Sequence, residues 1–131
     1  MTHRSDPTAS STRSVVGVSI PVEIPDLAKA LGDYDWAYLL TVRDDGRPHV
    51  VAVTPEWEGD HLVTPVGKGT AKGASERPAV TLCYPPAERD GYSLIVDGTA
   101  AVEERTLRFA PTWAVLHRPA PEGFTGSPTG C

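Results

Sequence analysis

Cysteine is nearly missing from this 131-residue chain: there are two, Cys83 inside an extended apolar run and Cys131 at the last position. Two thiols so placed make a poor disulfide framework and suit a reducing compartment, so a cytoplasmic protein is expected. Basic residues are in deficit, 12 Lys and Arg against 17 Asp and Glu, for a formal net charge of -5. A protein that tracks a nucleic-acid backbone usually needs a clustered basic surface, so this balance argues against one while leaving room for a small basic pocket. Aromatic residues make up only 7% of the chain, and Trp36, Trp57 and Trp113 read as core or interface side chains rather than a base-stacking platform. No apolar run approaches the length that spans a bilayer, and the opening MTHRSDPTASSTRS lacks the apolar core of a secretory signal.

What is present is an ordinary globular composition, 40% hydrophobic and 22% charged, at a length that suits one domain. Three segments follow from the texture of the chain: a flexible tail over residues 1–20, a folded domain over 21–118, and a Gly, Pro and Ser-rich tail over 119–131. Val15–Ile20 is a candidate extended arm before Pro21. Pro25 suits a first helical turn, and Ile24, Leu27, Ala28 and Leu31 share one helical face before Gly32 and Asp33 end it.

The domain is organised around Ala37–Trp57. Ala37–Arg43 is apolar and β-branched on both alternating sets, which predicts a strand covered on both faces; Asp44-Asp45-Gly46 is turn chemistry; Arg47–Trp57 is a second extended run. The set Val50, Ala52 and Thr54 is small and leaves room for something to lie against that strand. Pro55 marks an edge or a bulge. After the turn Glu58-Gly59-Asp60 comes a strand over His61–Val66. Gly67–Arg77 reads as a loop leading into a short helix that stops before Pro78. Ala79–Tyr84 and Tyr92–Val96 are further strands, the latter resuming after Asp97-Gly98 as Thr99–Glu103, a long strand bent at a glycine. Leu107–Phe109 and Trp113–Leu116, separated by Pro111, complete an irregular strand or pair. Six or so short antiparallel strands with one or two short helices predict a mainly β protein, a small barrel.

The chemistry concentrates in Gly67–Arg77. Glycines let backbone amides approach an anion, a helix N-terminus adds partial positive charge, Lys68 and Lys72 add full ones, and Thr70 adds a hydroxyl. The segment does not match the Walker A pattern. On composition alone it reads first as a solvated loop, since lysines beside glycines are common on surfaces. His49 and His61 could converge across a hairpin, yet no third ligand with metal-binding spacing accompanies them. Cys83 reads as a small core residue, and His117 as a hydrogen-bonded strand-end residue. No serine sits in a nucleophile elbow and no carboxylate pair stands out, so any reaction would rely on a cofactor.

The ordered motifs Ala37-x-Leu39-x-Thr41-Val42, Asp45-Gly46-Arg47-Pro48-His49, Thr70-x-Lys72 before Glu76-Arg77-Pro78, and Asp97-Gly98-Thr99-Ala100 resemble the pyridoxamine 5'-phosphate oxidase-like family of FMN-binding split β-barrels. The resemblance is closest to actinobacterial members, some of which use the deazaflavin coenzyme F-420 instead of FMN, and it covers about residues 24–118. It implies a homodimer with a cofactor cleft between subunits and a flavin- or deazaflavin-dependent oxidoreductase acting on a small organic substrate. A non-enzymatic flavin- or haem-binding dimer is the alternative it leaves open. It further implies that Thr70 and Lys72 hold cofactor phosphate with Lys68 nearby. His49, Val50, Val51 and Ala52 would lie beside the ring, and Thr64, Pro65 and Val66 along its other edge. The stretch Val115-Leu116-His117-Arg118 lacks the Arg-x-His of the vitamin B6 oxidases, and Arg47–Thr54 lacks the lysine that ends their cofactor strand. Oxidation of pyridoxamine phosphate is therefore not expected.

Overall fold

The computed structural model describes residues 17–120. Eight antiparallel strands form one sheet: β1 (Val18–Val22), β2 (Ala37–Val42), β3 (Pro48–Val53), β4 (Glu56–Glu58), β5 (His61–Pro65), β6 (Ala79–Tyr84), β7 (Ser93–Glu103) and β8 (Thr106–Arg118). Two short helices, α1 (Leu27–Leu31) and α2 (Lys68–Glu76), interrupt them, α1 being preceded by a single 3-10 turn over Ile24–Asp26.

The sheet order is β3-β2-β6-β7-β8-β5-β4, with β1 also pairing β8. Strands β3 and β4 stand at opposite ends of this order, yet only Thr54 and Pro55 join them. Six strand-to-strand steps in a flat sheet would separate the ends by roughly 29 Å, whereas three Cα steps reach at most about 11 Å. The sheet must therefore curl until its edges meet, which makes it a split barrel. Pro55, which cannot donate to a ladder, sits where the chain leaves one edge for the other. This splits the expected run Arg47–Trp57 into β3 and the separate β4.

The core lies inside the curl. Leu39 pairs with Leu82, Leu82 with Val96, and Val96 with Ala114, so one apolar row crosses four adjacent strands. All four are buried, with Leu62, Leu94, Leu107 and Phe109 beside them; truncating a leucine in such a row costs about 2–5 kcal/mol. Helix α1 contributes Leu27 and Leu31, and α2 contributes Ala71 and Ala74. Gly98 is required by close approach: a Cβ there would lie 2.4 Å from the Ala110 carbonyl oxygen and 2.5 Å from a Phe109 ring carbon. The β7–β8 register shifts between Asp97 and Gly98, as the sequence suggested for a bent strand.

Several expectations are corrected. Strand β2 is covered on one face only, since Ala37, Leu39 and Thr41 are buried while Tyr38 and Val42 are about two-fifths exposed. The even set points outward because no second layer packs there within the monomer. Residues 18–20, placed with the N-terminal tail, belong to β1, and Pro21 does not end it because β1 is an edge segment pairing only β8. Pro111 does not divide β8, because it lies at the register shift and in the gap between the β5-paired and β1-paired parts of the strand. The anticipated loop at Gly67 is helical from Lys68 onward. Ile24 and Ala28 are exposed, so α1 is seated by Leu27 and Leu31, with Ala30 partly buried against the core. Of the two expectations for Trp36, Trp57 and Trp113, core or interface, the core one is overturned, since all three are exposed on the surface. Cys83 is half-buried on the outward set of β6, where burial pushes its thiol pKa up. Residues 1–16 and 121–131, with Cys131 and most of both expected tails, lie outside the described residues.

Candidate functional site

Strand β3 is an edge strand paired only with β2, from Ala37 opposite Val53 to Val42 opposite Pro48. The turn joining them is Asp44-Asp45-Gly46, closed by the Gly46 amide donating to the Arg43 carbonyl at 2.9 Å, with Gly46 at φ +84. This positive φ is what glycine supplies in a three-residue hairpin loop. Helix α2 then packs against β2 with Gly73 facing it, where a Cβ would make only ordinary contact, 3.5 Å from the Val42 carbonyl oxygen.

Between β3, the end of β5 and the first turn of α2 lies a groove of about 450 Å³, lined by His49, Val51, Ala52, Val53, Pro65, Val66, Gly67, Gly69 and Thr70. Its size falls in the ~300–1,000 Å³ range usual for small-molecule sites. The walls are mostly small and apolar, with polar groups gathered at the helix start. Thr70 is buried, and its Oγ1 lies 3.1 Å from Nε2 of His49, which ties β3 to α2. Gly67 caps α2 with extended backbone and no side-chain hydrogen bond, and the first amide bonded back to it is that of Ala71, at 2.9 Å. The amides of Lys68, Gly69 and Thr70 consequently have no intrahelical acceptor, and no acidic residue stands in the first turn. Such an end attracts an anion.

Past His49 and Gly69 a second cavity of about 200 Å³ opens, lined also by Thr41, Val42, Arg43, Asp44, Lys72, Gly73 and Arg77. Its cations are partnered. Lys72 Nζ is 3.3 Å from Asp44 and 3.1 Å from Glu76, and an Arg77 terminal nitrogen is 2.6 Å from Asp44 while its Nε donates to the Val42 carbonyl at 2.8 Å. The Arg77 and Lys72 hydrogen bonds hold the Asp44 carboxyl below its usual pKa, and Glu76 and Asp44 push the Lys72 ammonium above its own.

The groove thus gathers six of the residues singled out in the sequence, His49, Val51, Ala52, Pro65, Val66 and Thr70, while Lys72 borders the adjoining cavity. Val50 faces outward and is half exposed; Thr64 is buried with its hydroxyl donating to the Pro65 carbonyl; Lys68 lines neither space. The small set Val50, Ala52 and Thr54 contributes only Ala52, because the groove lies on the side of His49, Val51 and Val53. His49 and His61 do not converge, since β3 and β5 are not neighbours and His61 pairs with Asp60 at 2.6 Å. His117 bonds Ser19 across β1 and β8 at 3.0 Å, away from the groove. Arg43, Asp44 and Arg77 were not anticipated; the opposite charges of the hairpin tip and the Lys72–Arg77 segment were the available signal.

No protein-family model matches the chain. The uncharacterized proteins Mb0449c of Mycobacterium bovis and MT0457 of Mycobacterium tuberculosis are each 39% identical to it over 127 residues, covering 84% of this chain and 89% of theirs. Among solved structures, a FAD-binding protein from Mesorhizobium loti superposes with a TM-score of 0.62 at 14% identity, covering 80% of this chain and 99% of that one. The FAD-binding protein of Mycobacterium smegmatis gives 0.60 at 14% identity, covering 77% and 99%. An F-420 reductase gives 0.55 at 19% identity, covering 66% and 94%. The same fold is seen in structures described as putative pyridoxamine 5'-phosphate oxidases from Listeria innocua and Corynebacterium glutamicum, each with a TM-score of 0.58. By sequence the chain belongs to the family of the two mycobacterial proteins.

Proposed function

We propose that this protein binds FMN or the deazaflavin coenzyme F-420 in the β3–α2 groove, as a homodimer, and serves as an oxidoreductase on a small organic substrate. The observation that carries the reading is the junction of an apolar slot with an uncapped helix start, across which His49 and Thr70 are bonded. These features fit a ligand with a flat ring and an anionic tail. When bound, such a ring supplies hydride chemistry. Val51, Ala52, Pro65 and Val66 would pack on it and exclude water. The amides of α2, the Thr70 hydroxyl and Lys68 would hold the phosphate, with Lys72 available on exchanging its carboxylate partners. The flavin- and F-420-named structures that share the fold support this reading.

The dimer is supported by the outward face of the β2–β3 hairpin. Tyr38 stands opposite Ala52, Leu40 opposite Val50 and Val42 opposite Pro48, an apolar patch bordering the groove at Ala52. A second copy on that patch would cover it and complete the cleft.

Absorption spectra of the purified protein, followed by titration with FMN and with F-420, test the reading. One of the two is expected to bind saturably, and Lys72→Ala is expected to weaken it about tenfold by removing a charged contact. A protein that remains colourless with both overturns the assignment. Bound cofactor that no hydride donor reduces would favour the storage or sensing alternative over an enzyme.

A further inference from the structure

A third cavity, of about 270 Å³, lies where α1 meets the β3–β4 crossover and shares no lining residue with the groove. Three aromatic residues wall it: Tyr34 after α1, Trp57 on β4 and Tyr84 at the end of β6, with Leu31, Leu62 and Pro55 between them. The Tyr34 and Tyr84 rings meet edge to face, centroids 6.0 Å apart at 66°. The Tyr34 hydroxyl is used elsewhere, donating to the Tyr92 carbonyl at 2.8 Å, so Tyr34 offers its ring alone.

Two features give the cavity a chemical preference. Among the described residues, the charged ones that line it are both acidic, Asp35 and Glu56, with no lysine, arginine or histidine. Tyr84 is only 3% exposed, and its hydroxyl makes no hydrogen bond among the described residues although it is not sealed from solvent. Tyr84 is among the residues that line this cavity. Burial pushes the Tyr84 phenol well above its ordinary pKa, so it remains a neutral hydroxyl able to accept a hydrogen bond.

We propose that this cavity is a binding site for a small protonated amine with a short apolar substituent. Its ammonium would lie against the aromatic faces, donate to the Tyr84 hydroxyl and be attracted by Asp35 and Glu56 at the rim, while the substituent displaces water from Leu31 and Leu62. Aromatic walls favour cations through the ring quadrupole. The volume limits the ligand to a few heavy atoms beyond the nitrogen. The site stands independently of the cofactor reading.

The test uses the full-length protein and butylammonium as probe, with butan-1-ol and butyrate as its neutral and charge-reversed counterparts. Binding is followed by amide chemical shifts in two-dimensional NMR. Butylammonium is expected to saturate shifts around residues 28–35 and 56–62, at least about fivefold more tightly than butan-1-ol. Asp35→Asn with Glu56→Gln should weaken it about threefold to tenfold, since both side chains are exposed. Tyr84→Phe should weaken it about tenfold without altering the fold, because the hydroxyl has no partner among the described residues to lose. Failure to saturate, equal affinity for the alcohol or the carboxylate, or affinity unmoved by the acidic double variant would each overturn the proposal.

Discussion

The two ends of α2 handle charge in opposite ways. From the middle of the helix to its C-terminal end, Lys72 and Arg77 are matched against Asp44 and Glu76, and the hairpin tip is fastened to the helix. At the N-terminal end no carboxylate is present in the first turn and three amides lack intrahelical acceptors. An anion arriving at the first end must displace a carboxylate; at the second it meets donors already waiting. Counting lysines therefore misplaces the attraction. On the proposed reading the helix start, with Thr70 and Lys68, would be the stronger anion site of the two, although Lys72 carries equal formal charge.

The largest effect should come from putting a carboxylate where none exists. Gly69 borders both cavities, and a Cβ there would have no neighbour within 4 Å, so Gly69→Asp adds no clash with the fold. An acidic residue in the first turn stabilises a helix by about 0.3–1 kcal/mol, and replacing a helical glycine relieves backbone entropy. The thermal midpoint should hold or rise while affinity for FMN or F-420 falls about 100-fold through loss of a charge-assisted site. Gly69→Asn, of the same size without the charge, should keep most of the affinity. If aspartate and asparagine weaken binding equally, the effect is steric and the comparison between the two ends collapses.

Thr70→Val should produce the next largest change. It removes the 3.1 Å contact with His49 at a buried position and strips a donor from the helix start. A stability loss of about 1–2 kcal/mol should appear in chemical denaturation, with cofactor affinity down about tenfold. Thr70→Ser, which keeps the hydroxyl, should restore affinity more than stability, since it still lacks the buried methyl. Unchanged affinity in Thr70→Val would move the anion away from this turn.

Much of the fold could be read because most local signals had a single meaning. Asp44-Asp45-Gly46 signals a turn and Gly98 a bend, and both are found, whereas Pro55, which signals an edge or a bulge, sits at the crossing from β3 to β4. The departures arise where one pattern serves two environments. The outward set Tyr38, Leu40 and Val42 is as apolar as the inward set, so alternation could not say which face the monomer leaves open. Gly67–Arg77 contains three glycines, which lower helix propensity, yet Thr70, Ala71 and Ala74 bury against the sheet and that packing holds the helix. Six of the ten site residues line the groove because strand and helix spacing kept them together. What could not be read is pairing: Asp44 and Lys72 are 28 residues apart, and only the docked hairpin brings their charges to 3.3 Å.

The smallest effect should come from that pair, and its sign follows from pH. Asp44 has its pKa lowered in the fold, chiefly by Arg77 and then by Lys72. Its contribution to stability is therefore complete above the ordinary value of 3.8 and is lost as pH falls through the lowered one. Lys72, raised by Glu76 and then Asp44, contributes fully below 10.5 and loses that contribution as pH rises through its higher folded value. Both side chains are exposed, so salt screens the interaction and the plateau between these limits is shallow. The thermal midpoints of the native chain and of Asp44→Asn should differ slightly and constantly from neutrality down to about the ordinary carboxylate pKa, then converge in more acid solution. A difference that persists unchanged in acid would mean Asp44 acts through shape rather than charge. The same variant also weighs the two ends of α2 against each other, because it releases Lys72 and Arg77 from their shared carboxylate. If Asp44→Asn leaves cofactor affinity unaltered, the phosphate lies at the helix start; a marked tightening would place it in the smaller cavity beside the freed cations.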